Sequence, residues 1–217
     1  MNKRFRALAF ITAMLLQVNV CFGAGFTYKK ADFEGKNFPD VIGTKYEDAA
    51  LYLKAFDYIS GYPDGTFKPE KEITRAEMVA ILFAFSFPAK NKLKAQEEPL
   101  NTFTDVPMDH WAKQQIEIAA QLGLVSGYGN GIFKPDAHIT HAEVITMLLN
   151  LHNLKADVLK NEVTSKEKWP NNYVFYYIMT TEKPTYLFDN VSVYSSTNAK
   201  RGDVAVYISD IRDIQWE

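Results

Sequence analysis

Of the 217 residues only one is cysteine, Cys21. A single thiol excludes an internal disulfide framework and a thiolate zinc site. Long apolar runs are also missing. The longest candidate, residues 7–16, falls well short of the ~20 residues a membrane-spanning helix needs. Nor is there an excess of one charge: 24 basic residues stand against 26 acidic ones. That balance gives no electrostatic case for nucleic acid. No Ser-His-Asp set, metalloprotease motif or phosphate loop is visible, which argues against an enzyme. His138 and His141, with Glu143 and His152, are too loosely placed to read as a metal site. No cofactor or metal is therefore expected.

What is present begins with a leader. Lys3, Arg4 and Arg6 precede the apolar run, and small residues follow at Gly23, Ala24 and Gly25. This order reads as a secretory signal peptide over residues 1–23. Cys21 lies within it, and the bulky Val20 before it is a poor fit to a lipidation signal. Without the leader, 21 basic residues face 26 acidic ones, a net charge of −5. The 47% hydrophobic content is enough for a buried core.

The rest of the chain says much the same thing twice. Gly61-Tyr62-Pro63-Asp64-Gly65-Thr66-Phe67-Lys68-Pro69 leads to Ile73-Thr74-Arg75-Ala76-Glu77. At a constant offset of 66 come Gly127-Tyr128-Gly129-Asn130-Gly131-Ile132-Phe133-Lys134-Pro135 and Ile139-Thr140-His141-Ala142-Glu143. Each copy opens with Phe-x-Asp-Val, at Phe38 and Phe103, and carries a large aromatic eight residues on, Tyr46 or Trp111. The pattern predicts a first helix over residues 46–58 and again over 111–122, a Gly/Pro-rich turn, and then a second helix. Thr-x-x-Glu at Thr74 and Thr140 is a capping box, and Ile73/Met78 and Ile139/Val144 can staple it. Residues 78–85 and 144–151 are apolar nearly all round, so the second helices belong at the centre of the fold.

Two copies leave such a core half exposed. Residues 169–217 supply a worn third. Trp169 takes the aromatic position, residues 172–180 fit the first helix, and Lys200-Arg201-Gly202-Asp203 aligns with Thr74-Arg75-Ala76-Glu77. The β-branched and aromatic run 173–178 leaves a strand as the alternative. The expected organisation is repeats at 38–88, 103–154 and 169–217. Charged linkers or short surface helices fill 89–102 and 155–168.

These motifs resemble the S-layer homology (SLH) family. The resemblance is specific in the first two copies, where only His141 departs from the family's Arg, and weak in the third. It implies a mainly all-α, pseudo-threefold unit with three central helices, outer helices and Gly/Pro-rich loops. It also implies non-covalent attachment to the bacterial cell wall. The ligand would be a secondary wall polysaccharide, often bearing ketal-linked pyruvate, or modified peptidoglycan, bound in grooves between repeats. An envelope protein partner, such as an S-layer protein, is the alternative. The expected location is secreted, at the cell surface.

For the ligand, Arg75 and then Arg201 are the expected anion receptors, since an arginine at a helix start opposes the macrodipole. Tyr46, Trp111 and Trp169 can stack on sugar faces. Asp40 and Asp105 can accept from hydroxyls, and Gly61 and Gly127 can let backbone approach a ligand. Each has a structural alternative: the aspartates can cap turns, Trp111 can be core, and the Thr and Glu of the motif are caps first. His141 carries charge only below roughly pH 6.5, so its groove is expected to bind weakly.

Overall fold

The computed structural model describes residues 35, 37–86, 101–162, 164–166, 168–181 and 195–213. The leader and Cys21 lie outside these residues, as does most of the 89–102 linker.

Seven α-helices are present among the described residues. They are α1 (Glu47–Ala55), α2 (Arg75–Ser86), α3 (Lys113–Gln121), α4 (His141–Leu151), α5 (Lys155–Lys160), α6 (Asn171–Thr180) and α7 (Arg201–Asp213). The described residues form no strands, only isolated bridges. The 173–178 run is therefore helical, buried through Tyr173, Val174 and Tyr177 against neighbouring helices. Tertiary packing overrides its β propensity. The second linker is not wholly solvated. It forms α5 and a 3-10 turn at Thr164–Lys166, and buries Val158 and Thr164 completely.

The apolar helices are central, as their composition requires. On α2, Met78, Val79 and Leu82 are fully covered; on α4, Val144, Ile145, Leu148 and Leu149; on α7, Val204, Ala205, Tyr207, Ile208 and Ile211. Each inner helix packs against the outer helix of the following unit. α2 meets α3, α4 meets α6, and α7 closes back onto α1. A chain of two units would leave α1 without its cover.

The three units are joined by a ring of backbone hydrogen bonds just before the inner helices. The Ile73 amide donates to the Ala199 carbonyl (3.3 Å), the Ala199 amide to Ile139 (2.8 Å), and the Ile139 amide to Ile73 (3.1 Å). Three antiparallel bridges flank this ring, Glu72 with Lys200, Thr74 with His138, and Thr140 with Asn198. The capping boxes form as the sequence predicts. Glu77 accepts from the Thr74 amide (2.8 Å) while the Glu77 amide donates to the Thr74 hydroxyl (3.2 Å), and Thr140 and Glu143 repeat the exchange. In the third unit Asp203 accepts from the Lys200 amide (3.1 Å).

Gly202 stands where the other units have Ala76 and Ala142. A Cβ there would lie 2.6 Å from the ring of Tyr46, which is itself 2% exposed. Gly202→Ala restores the residue of the other two copies and is nevertheless expected to destabilise the fold, by about 1–3 kcal/mol, through overpacking. Urea unfolding of the variant checks this.

His152, packed beside Phe85, is pushed down to about 4 by burial. The unfolded chain thus binds the proton first, so this contribution is complete above pH 6.5 and is lost as pH falls towards 4. The expected loss between pH 7.5 and pH 5 is about 2 kcal/mol, absent in His152→Phe, as read from urea midpoints at the two pH values.

Candidate functional site

The grooves lie where the start of each inner helix meets the loop of the next unit. In the first two units the loop rests on the same two contacts. The opening Phe packs on the loop Phe, Phe38 on Phe67 (5.2 Å between centroids) and Phe103 on Phe133 (5.0 Å). The opening Asp grips two successive amides. Asp40 accepts from Phe67 (2.8 Å) and Lys68 (2.7 Å), and Asp105 from Phe133 (2.8 Å) and Lys134 (2.7 Å). Lys68 and Lys134 are held at φ of 57° and 59°, a left-handed conformation rare for a side-chain-bearing residue. The paired carboxylate bonds offset that strain.

Several expected ligand residues are thereby placed in the scaffold. Asp40 and Asp105 brace the loops through both carboxylate oxygens. The space a side chain would need at Gly61 and Gly127 is filled, by Phe38 in one loop, and by Phe103 and the Ile132 carbonyl in the other. Those glycines admit the protein's own rings rather than a ligand. Tyr46 is buried, and its hydroxyl donates to Asp203 Oδ1 (3.2 Å), so it offers no ring face to a sugar. Trp111 and Trp169 differ: they are 59% and 54% exposed. Trp111 stacks on His110, and the Trp169 indole donates to Thr146 (3.1 Å).

The helix starts are not vacant either. The amides of Arg75 and Ala76 donate to the carbonyls of Ala137 and Pro135, both 2.9 Å. Those of Arg201 and Gly202 donate to Lys71 and Pro69, also 2.9 Å. The neighbouring unit's backbone already satisfies the donors that would attract an anion.

Arg75 is 2% exposed and fully engaged. Its Nε donates to the Phe133 carbonyl, Nη2 to the Ser126 carbonyl and Nη1 to Glu143 Oε1, each at 2.9 Å. The guanidinium also lies over the rings of Tyr128 and Phe133. Glu143 Oε1 takes a further bond from the Tyr128 hydroxyl. Burial, followed by that carboxylate bond, raises the Tyr128 pKa to about 12. The expected open receptor is thus a buried cross-link between the first two units.

Arg201 occupies the matching place on α7 and meets different surroundings. Its guanidinium lies over the rings of Tyr62 (5.2 Å) and Phe67 (5.0 Å). Its Nε is buried and has no hydrogen-bond partner among the described residues. No carboxylate pairs with it among the described residues. Burial draws its pKa down, opposed by Tyr62 and Glu77. Lys68 and Lys71 stand over the same Tyr62 ring.

The third position belongs to His141, 5% exposed. Nδ1 lies 2.8 Å from the Tyr207 hydroxyl, and Nε2 lies 3.9 Å from Asp203 Oδ2. Burial lowers its pKa, with Asp203 opposing and Lys200 assisting. A cavity of about 530 Å³ opens beside it, lined by Lys45, Tyr46, Asn198 and Lys200 among others.

A family model described as the S-layer homology domain matches residues 37–79 and 102–145. Those two segments hold both Phe-x-Asp-Val openings, both loops and both capping boxes. The chain carries S-layer homology repeats. It is 40% identical over 147 residues to the cellulosome-anchoring protein of Acetivibrio thermocellus, covering 65% of this chain and 32% of that protein. Cell surface glycoprotein 1 of the same organism is 44% identical over 93 residues, 43% of this chain and 4% of that protein. S-layer protein EA1 of Bacillus anthracis is 32% identical over 134 residues, 61% of this chain and 15% of that protein. The chain therefore corresponds to a third or less of each of these relatives.

With Arg75 as the partner of a buried carboxylate, Arg75→Ala strands Glu143 and is expected to cost about 3 kcal/mol or more. Arg201→Ala removes a cation with no carboxylate partner among the described residues and is expected to cost much less. Chemical denaturation of both variants tests the contrast.

Proposed function

We propose that this chain attaches non-covalently to the bacterial cell wall by binding an acidic wall glycan in a groove between S-layer homology repeats. Arg201 is the anion receptor in this reading. The observation that carries it is a guanidinium over the rings of Tyr62 and Phe67, with a buried Nε that no group among the described residues accepts from. An uncompensated buried donor is costly unless a ligand completes it, and a guanidinium forks well onto a carboxylate, such as that of a pyruvylated sugar. Exposed Trp111 and Trp169 provide ring faces for further sugars. Residues 169–217 serve as the third repeat, and residues 1–23 direct the chain to the cell surface. The role is anchoring rather than catalysis. The names of the relatives, one an anchoring protein and one an S-layer protein, support this reading.

A second reading, docking on an envelope protein, draws on exposed Ile42, Met108 and Met179.

Co-sedimentation of residues 24–217 with purified wall sacculi, intact and stripped of secondary polymer, separates the two. Binding is expected to disappear on stripping and to weaken roughly tenfold in Arg201→Ala, the scale of one charge-assisted hydrogen bond. Binding that survives stripping, or is unaffected by Arg201→Ala, moves the site elsewhere. Arg75→Ala is unsuitable for this purpose, because its folding defect would mimic lost binding.

A further inference from the structure

The two arginines share a backbone position but not a fate, and the difference traces to one residue pair. In each capping box one glutamate oxygen is committed to the cap. Glu77 Oε2 accepts from the Thr74 amide (2.8 Å), and Glu143 Oε2 from the Thr140 amide (3.0 Å). The other oxygen, Oε1, chooses a cation. In the second repeat Glu143 Oε1 takes Arg75 (2.9 Å). In the first repeat Glu77 Oε1 takes Lys71 (3.0 Å) instead. Lys71 also stands over the Tyr62 ring, 5.2 Å from its centroid, and Tyr62, followed by Glu77, raises its pKa. Tyr62 is the counterpart of Tyr128, which in the second repeat bonds Glu143. The residue that matches Lys71 there is Ala137. It has no side-chain donor, so Glu143 and Tyr128 are left to close over Arg75.

We propose that Lys71 is the specificity-determining residue of the Arg201 groove. By holding Glu77 and Tyr62 it keeps Arg201 available to an anionic substituent, whereas Ala137 lets Glu143 neutralise Arg75. The chain then has one anion-receiving arginine groove, set by Lys71 rather than by the arginines. This rests on the reading of Arg201 as the receptor. Removing Lys71 hands Glu77 Oε1 to Arg201, and placing a lysine at 137 draws Glu143 away from Arg75.

The test is a titration of the ¹⁵N-labelled protein followed through its arginine Nε–Hε resonances, with Arg201→Lys assigning the signal. Sodium acetate and inorganic phosphate are the probes in separate arms, against sodium chloride at equal ionic strength. The Arg201 signal is expected to respond and the Arg75 signal to stay fixed. Lys71→Met, which keeps the stem over Tyr62, is expected to weaken the response roughly fivefold. Lys71→Met combined with Glu77→Gln is expected to recover it, because glutamine preserves the cap without offering a competing charge. Ala137→Lys is expected to make Arg75 respond. Lys68→Met, which removes a nearby charge paired with Asp64, controls for general electrostatics. An unchanged response in Lys71→Met, or a loss that Glu77→Gln does not repair, overturns the proposal, as does silence of Arg201 towards both probes. Failure of the wall reading alone shows differently, as absent sedimentation with an intact acetate or phosphate response.

Discussion

Three backbone hydrogen bonds, from Ile73 to Ala199 to Ile139 and back, close the fold into a ring. Each bond joins two units far apart in sequence, and the ring closes only when all three units are in place. Since the residues are fully buried, an unpaired amide or carbonyl here would be costly. The ring fixes where the inner helices start and brings their N-terminal amides against the neighbouring loops. Those loops supply the carbonyls that the first helical turns lack. The inter-unit bonds thus complete the caps that the Thr-x-x-Glu boxes begin, and the units stabilise each other rather than stacking as independent blocks.

The same closure dictates the grooves. Because α7 packs on α1, the groove that contains Arg201 is built from the two ends of the chain, the loop of the first unit and the helix of the last. The third unit is poor in the family's motif yet indispensable to this geometry. Its departures follow from its position. Gly202 replaces alanine because the Tyr46 ring needs the space. The shorter Asp203 takes the cap and still reaches Tyr46.

Much of this was legible in the sequence. The 66-residue offset, the Thr-x-x-Glu boxes and the all-round apolar helices specified the inner helices, their caps and their central position. The positions of Trp169 and Arg201 pointed to the two helices α6 and α7. The local periodicity carries this information because helix patterning and capping are short-range. The roles of individual polar residues were less accessible. Asp40 and Phe67 are 27 residues apart, and nothing local says that the carboxylate will grip that amide. Arg75 at a helix start looks like an unpaired cation until Glu143, 68 residues away, is seen beside it. Tyr46 and Trp111 occupy one motif position, but only the partner helix decides that one is buried and the other exposed.

The signal that does separate the grooves was present in the alignment of the copies with each other. Positions that match between copies, such as Thr74 with Thr140 or Asp40 with Asp105, carry the fold. Positions that differ, such as Lys71 against Ala137 or Arg75 against His141, carry what distinguishes one groove from the next. A ring of near-identical backbones makes three equivalent places, and folding alone does not require their side chains to diverge. Arg75 is closed by a carboxylate, His141 is buried against the Tyr207 hydroxyl, which lowers its pKa, and Arg201 keeps an open donor among the described residues. In the first two places the chain satisfies its own polar groups, which stabilises the ring. In the third it leaves a desolvated cation unsatisfied, at a cost in stability that folding gives no reason to accept. In the reading proposed here, an anionic substituent of the wall glycan completes it.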